Sequence, residues 1–160
     1  MSILSNPLIR TAEVTDVEAM KQCVELAYKP YISRIGKPPG PMLDDYVTVV
    51  KRHLAFVAEW REEIIGILVL IQQENSLLLD NVAVHPSAQG KGVGRLLMAF
   101  AEAEACRRKY SVLDLYTHEH MTENITLYER LGYVERERRT EMGYQRVYMR
   151  KTLPEICDDT

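Results

Sequence analysis

The sequence predicts one α/β domain on a mixed, mostly antiparallel sheet, and three observations predict it. Apolar residues recur at spacings of three and four in four segments, the mark of helices that bury one face. Between Leu54 and Val84 the pattern changes to β-branched and apolar runs separated by short polar turns, the mark of a meander. Strand–helix–strand units follow, and they require a parallel pair in the same sheet.

Taken in order, Leu8 to Thr11 is a short apolar stretch. Thr15 and Asp16 with Glu18 then form a helix start, and Val17, Met20, Val24 and Ala27 share one face. Pro30 is expected to end that helix, because the residue before a proline is pushed out of the α region. The run Gly36-Lys37-Pro38-Pro39-Gly40-Pro41 reads as a stiff loop. Leu43, Tyr46, Val47 and Val50 predict a second, short helix with Asp44 and Asp45 near its start.

Leu54 to Trp60 and Ile64 to Gln72 predict a hairpin around Arg61, Glu62 and Glu63, and Asn75-Ser76 turns the chain into a third strand, Leu77 to Val84. Val93, Leu96, Leu97 and Phe100 give a helix running to about Arg108. Val112 to Tyr116 is another strand, and Glu123 to Leu131 a helix stopped by Gly132. Tyr133 to Glu141 and Tyr144 to Met149 pair around Gly143. One domain is expected over 1–160, with its core at about 8–152 and a polar tail at 153–160.

Composition narrows the function classes. The 160 residues suffice to bury roughly two thirds of the unfolded surface without disulfide or metal. Lys+Arg 20 against Asp+Glu 23 gives a net charge of −3, which disfavours nucleic acid as a partner. Cys23, Cys106 and Cys157 are odd in number and far apart, so neither a disulfide framework nor a metal knuckle is expected. No signal-like start is present, and the longest apolar run, Ile64 to Ile71, is too short to span a bilayer. A cytoplasmic protein with no membrane partner is expected.

Chemistry concentrates where the strand Leu77 to Val84 runs into a glycine-rich loop and a helix. Gln89, Gly90, Gly92 and Gly94 allow backbone N–H groups to surround an anion at a helix N-terminus, and Lys91 and Arg95 add formal charge. A phosphate or pyrophosphate is the natural guest. The spacing fits neither the dinucleotide fingerprint nor the Walker loop. The alternative is a tight turn whose glycines serve positive φ alone.

What remains is Gln89-x-x-Gly92-x-Gly94, which resembles the acetyl-coenzyme A pyrophosphate loop, Arg/Gln-x-x-Gly-x-Gly/Ala, of the Gcn5-related N-acetyltransferase (GNAT) superfamily. The likeness extends to Val82-Ala83-Val84-His85-Pro86 and, in looser form, to Asn124 through Tyr128 to Gly132-Tyr133. It covers about 8–152. The resemblance implies a sheet of about seven strands flanked by about four helices, splayed at the strand ending near Val84. Acetyl-CoA is the implied cosubstrate, held by the backbone of Val82, Ala83 and Val84, by Gln89, Gly90, Lys91, Gly92, Val93, Gly94 and Arg95, and by Asn124 and Tyr128. It further implies an N–H near Val84 as oxyanion donor and Tyr128 as general acid on the leaving thiolate. Tyr128 is otherwise a core tyrosine, and Asn124 otherwise a helix cap.

Candidates for the general base are Asp80, whose alternation with Val82 and Val84 puts it on their face, and His118 or His120 in the polar break after the strand. Each is equally readable as a structural or loop residue. The two histidines lack further ligands, so no metal is expected. Tyr31, Arg34 and the loop 36–41, with Asp44, Asp45 and Tyr46, are expected to build the acceptor side, where carboxylates would meet an amine and Arg34 a carboxylate. The expected activity is N-acetylation of a small-molecule primary amine by direct attack in a ternary complex. Rival readings are acetylation of a protein N-terminus or lysine, and a non-enzymatic acyl-CoA-binding module. The last strand pair offers an edge for a homodimer.

Overall fold

The computed structural model describes residues 7–155. Seven strands form one sheet: β1 Leu8–Thr11, β2 Leu54–Trp60, β3 Glu63–Gln72, β4 Leu77–Val84, β5 Val112–His118, β6 Val134–Glu141 and β7 Tyr144–Thr152. Their order is β1-β2-β3-β4-β5-β7-β6. Every neighbouring pair is antiparallel except β4–β5. Five α-helices flank them: α1 Val17–Tyr28, a single turn α2 Ile32–Ile35, α3 Tyr46–Arg52, α4 Val93–Arg107 and α5 Thr122–Arg130.

Two apolar layers hold the helices on. Met20, Val24, Val57 and Ile67 close the layer under α1 and α3. Leu68, Leu97, Leu113 and Met149 belong to the larger layer under α4, which also takes in Tyr128 of α5. Gly66, in the middle of β3, sets the depth of α4: a Cβ there would stand 3.0 Å from Leu97 Cδ1 and 3.3 Å from Val93 Cγ1. A side chain there would push the first turns of α4 outward by a few tenths of an ångström.

Several boundaries differ from the sequence expectation. Pro30 does not stop the helical path, which continues as a 3-10 turn, Lys29–Tyr31, and then α2, ending at Gly36 with φ 87°. Proline is tolerated at the start of a turn, where its missing N–H has no partner to lose. The expected loop contains a 3-10 turn, Gly40–Leu43. α3 begins only at Tyr46, because the Asp45 side chain caps it by accepting from Val47 N and Thr48 N. Asn124 is not the cap of α5: Met121 occupies that position, and Asn124 lies inside the first turn. Cys23 is free and buried, whereas Cys106 is disulfide-bonded, although no disulfide framework was expected. Among the described residues no helix is long and apolar enough to cross a membrane.

Candidate active site

The sheet opens at its one parallel seam. β4 and β5 pair only over Leu77–Leu79 with Leu113–Leu115, and beyond that point they part. A bulge coincides with the opening: the β3 register passes from Val69↔Asn81 to Leu70↔Leu79 and leaves Asp80 unpaired. Leu77 and Leu79 belong to the α4 layer and Val82 and Val84 pack against it, whereas Ala83 belongs to the opposite layer. One extra residue has inverted the alternation. Asp80 therefore does not share the face of Val82 and Val84, as strict alternation implied.

Backbone groups of β4 face this gap. The Val82 carbonyl accepts from Tyr28 Oη at 3.1 Å, and the Val84 carbonyl from Gln89 Nε2 at 3.1 Å. His85 N donates to Ile65 O on the other side, toward β3. Since N–H and C=O of one strand residue point the same way, the Val84 N–H is directed into the gap.

The glycine loop lies at one end of the gap. Gly90 has φ 76° and Gly92, the N-cap of α4, φ 88°. A Cβ on Gly90 would meet nothing within 4 Å, so open space adjoins this backbone. The N–H groups of Val93, Gly94 and Arg95 begin α4 without intrahelical partners. Val93 buries its side chain in the core, leaving its N–H as its contribution. With Lys91 and Arg95 beside it, this end suits a pyrophosphate.

Two cavities meet across the gap. The first, on the loop side, is lined by Tyr31, Val82, Ala83, Val84, Gln89 and Gly94. The second is lined by Asp80, Asn81, Tyr116, His118 and Arg146, under Pro39, Gly40 and Pro41. Tyr28, Val82, Met121, Asn124 and Tyr128 touch both. Tyr128 thus stands where the cavities join, although its ring also packs against Tyr133 at 6.0 Å. Burial pushes its phenol well above the ordinary 10, so it holds its proton at neutral pH.

Among the expected acceptor residues the structure makes distinctions. Asp80 lines the second cavity and accepts from Tyr116 Oη at 2.7 Å. His118 lines it too, but its Nδ1 accepts from His120 N at 3.0 Å, and burial first, then His120, push its pKa below 6.5. A neutral His118 ring therefore carries its proton on Nε2. His120 Nδ1 lies 2.9 Å from the Arg34 carbonyl. Tyr31 lines the loop-side cavity instead of the acceptor side. Arg34 lines neither: it pairs with Glu123 at 2.6 and 2.7 Å and covers the Tyr31 ring at 5.1 Å. Asp44 is pushed up to about 6, by partial loss of water first and by the Asp80 charge second.

Asn81, Tyr116, Tyr144 and Arg146, which the sequence did not single out, join the expected Tyr46 in completing the site. Asn81, 2% exposed, donates from Nδ2 to Tyr46 Oη at 3.0 Å and accepts from Tyr28 Oη at 2.8 Å. Tyr46 Oη donates to Pro41 O at 2.6 Å, and Tyr144 Oη to Pro38 O at 2.6 Å. Lys37 Nζ sits 4.0 Å from the Tyr144 ring centroid. These contacts fasten the loop 36–41 over the second cavity. Asp80, Tyr116 and Arg146 also border a wider groove on the uncovered face of β5 and β7, with Asp114, Tyr148 and Arg150. Among the described residues no group of three or more His, Cys, Asp or Glu could hold a metal ion.

The family model described as "Acetyltransferase (GNAT) domain" matches residues 51–135, more than half of the chain. The chain belongs to the GNAT acetyltransferases. No curated protein matches it. Solved structures do. PaiA N-acetyltransferase from Thermoplasma acidophilum, crystallised with coenzyme A, is 17% identical over 92% of this chain and 99% of its own, at TM-score 0.78. The ribosomal-protein-S18-alanine N-acetyltransferase from Escherichia coli is 20% identical over 97% and 99%, at TM-score 0.77. Nourseothricin acetyltransferase is 22% identical over 92% and 99%, at TM-score 0.72.

This GNAT chain is an N-acetyltransferase with acetyl-CoA as cosubstrate. Its residues fit that molecule: an open glycine cradle at a helix N-terminus lies at one end of a cavity, and a splayed strand with a free N–H forms its wall.

Proposed function

We propose that this GNAT enzyme acetylates the primary amine of a small molecule by direct attack in a ternary complex. The observation that carries the reading is the roof: the loop 36–41, tied down by Tyr46 and Tyr144, covers the acceptor cavity. A roofed cavity favours a small acceptor over an extended chain. Acetyl-CoA supplies an acetyl group activated as a thioester.

The protein's own groups divide the remaining tasks. Lys91, Arg95 and the N–H groups of Gly92, Val93, Gly94 and Arg95 hold the pyrophosphate, with Gln89 bracing the loop against Val84 O. Val82, Ala83, Val84 and Asn124 line the path of the arm. The Val84 N–H donates to the carbonyl oxygen as negative charge develops there. Tyr128, protonated at neutral pH, gives its proton to the departing sulfur. Asp80 is the better-placed base. Its Oδ2 remains to receive the proton of the amine, whereas His118 Nδ1 is already engaged. Cys23 takes no part as an acetyl carrier, since it is buried and its thiol is pushed up to about 12.

The wider groove beside Asp80, Tyr116 and Arg146 favours one second reading, a peptide N-terminus or lysine laid along β7. The groove offers side chains but little free backbone, since β5 and β7 are paired with each other along its floor. A second copy of the chain could add at the exposed β6 edge, whose Arg and Glu side chains work against pairing. A cytoplasmic place suits an enzyme that draws on acetyl-CoA. The test is acetyl-CoA turnover with amines, amino acids, polyamines, aminoglycosides and short peptides. Turnover confined to peptides would replace the first reading with the second.

A further inference from the structure

We infer that Asp80 and Arg146 act together as a selector for acceptors that carry a carboxylate close to the amine, of the α-amino-acid type. The inference rests on the small-amine reading and names its substrate class. Both side chains line the acceptor cavity, and Tyr116 holds them apart. The Tyr116 hydroxyl donates to Asp80 Oδ1 at 2.7 Å, while Arg146 Cζ stacks 4.3 Å from the ring centroid. A single aromatic side chain therefore fixes an acceptor of cations and a donor to anions at one spacing. The bulge at Asp80 and the ladder of β7 with β5 anchor its two ends.

Each group keeps capacity for a ligand. Asp80 spends Oδ1 on Tyr116 and leaves Oδ2. Arg146 spends Nη1 on Glu141 Oε2 at 3.1 Å. Its Nη2 points under the roof, 3.9 Å from the place of a Cβ on Gly40. The Arg146 side chain is only 18% exposed, so a carboxylate there would be partly desolvated and its bond to the guanidinium strong. Arg150, by contrast, is already committed to Asp114 at 2.7 and 3.0 Å. A diamine or polyamine would set its second ammonium against Arg146, and a simple monoamine would leave the guanidinium without an anion. A zwitterion satisfies both ends at once.

The test uses matched acceptors at saturating acetyl-CoA: an α-amino acid, its carboxamide and its decarboxylated amine. The expected preference in kcat/KM is roughly 10- to 100-fold for the free carboxylate, the range of a charged hydrogen bond. Arg146→Gln should bring that ratio close to one through KM. Glu141→Gln removes the competing carboxylate and should raise the ratio, which guards against a variant that merely fails to fold. Calorimetry of amino acid binding to the CoA-loaded protein gives a second readout, with the same order of affinities. A parent ratio within about twofold, or a ratio that survives Arg146→Gln, overturns the selector while the small-amine reading stands. Acetylation of no small amine at all overturns both.

Discussion

Replacing Tyr46 by Phe isolates what fastens the roof to the sheet. The ring keeps its place, so no cavity forms and the apolar contacts of this 2% exposed residue stay. The hydroxyl, however, serves two partners: it donates to Pro41 O at 2.6 Å and accepts from Asn81 Nδ2 at 3.0 Å. Asn81 is buried, so its amide cannot turn to water, and an unpaired buried donor costs about 1–3 kcal/mol. For a domain of this length a loss of about 2 kcal/mol lowers Tm by roughly 4–8 °C. Thermal unfolding measures that shift, and steady-state kinetics measures its consequence. Freed from Tyr46, Pro41 should loosen over the acceptor cavity and raise KM for the amine several-fold with KM for acetyl-CoA unchanged. In a double-mutant cycle with Asn81→Leu the two losses should add to less than their sum, because both remove one bond. A Tm within about 1 °C of the parent, or strictly additive losses, would refute the reasoning.

The remaining outcomes concern the two cavities. Tyr128→Phe should lower kcat by roughly 100-fold or more while leaving acetyl-CoA affinity alone, and equal turnover in variant and parent would remove the general-acid role. Gly92→Glu forces a side chain into the left-handed region and sets a carboxylate where the phosphates belong, so calorimetry should find no acetyl-CoA binding; unaltered binding would move the phosphate site elsewhere. Asp44 gives a pH signature. Its carboxyl holds a proton better in the fold than outside it, so its contribution to stability is complete below its ordinary 3.8 and lost as pH rises through about 6. Tm of Asp44→Asn relative to the parent should therefore climb across that window; a constant difference would refute the placement.

Much of the fold was legible because its signals are local. The apolar run of β3, the glycines of the anion loop and the stop at Gly132 each follow from a handful of neighbouring residues. The bulge at Asp80 was not, since nothing in Leu-Leu-Leu-Asp-Asn-Val announces an unpaired residue; the partner strand decides it. Arg34 was the arginine expected to hold an anion, and only tertiary placement gives it to Glu123 and brings Arg146 to the cavity instead. Asn81 did offer a signal. An amide within an apolar strand has to find buried partners, and it found Tyr28 and Tyr46. The start of α3 turned on which of two adjacent aspartates caps it, a choice that spacing leaves open.

Gly66 lies far from the glycine loop in sequence, yet it acts on cofactor reach. The Cβ it lacks would press on Leu97, on Val93 and, at 3.3 Å, on the carbonyl of Ala83, so it would lift the first turns of α4 away from β4. Those same turns carry the amides for the phosphates, and β4 carries the wall along which the pantetheine arm must run. The missing methyl group thus works as a ruler between the two ends of the cosubstrate. A change at this position would be felt as a mismatch of length, with every recognised motif still in place.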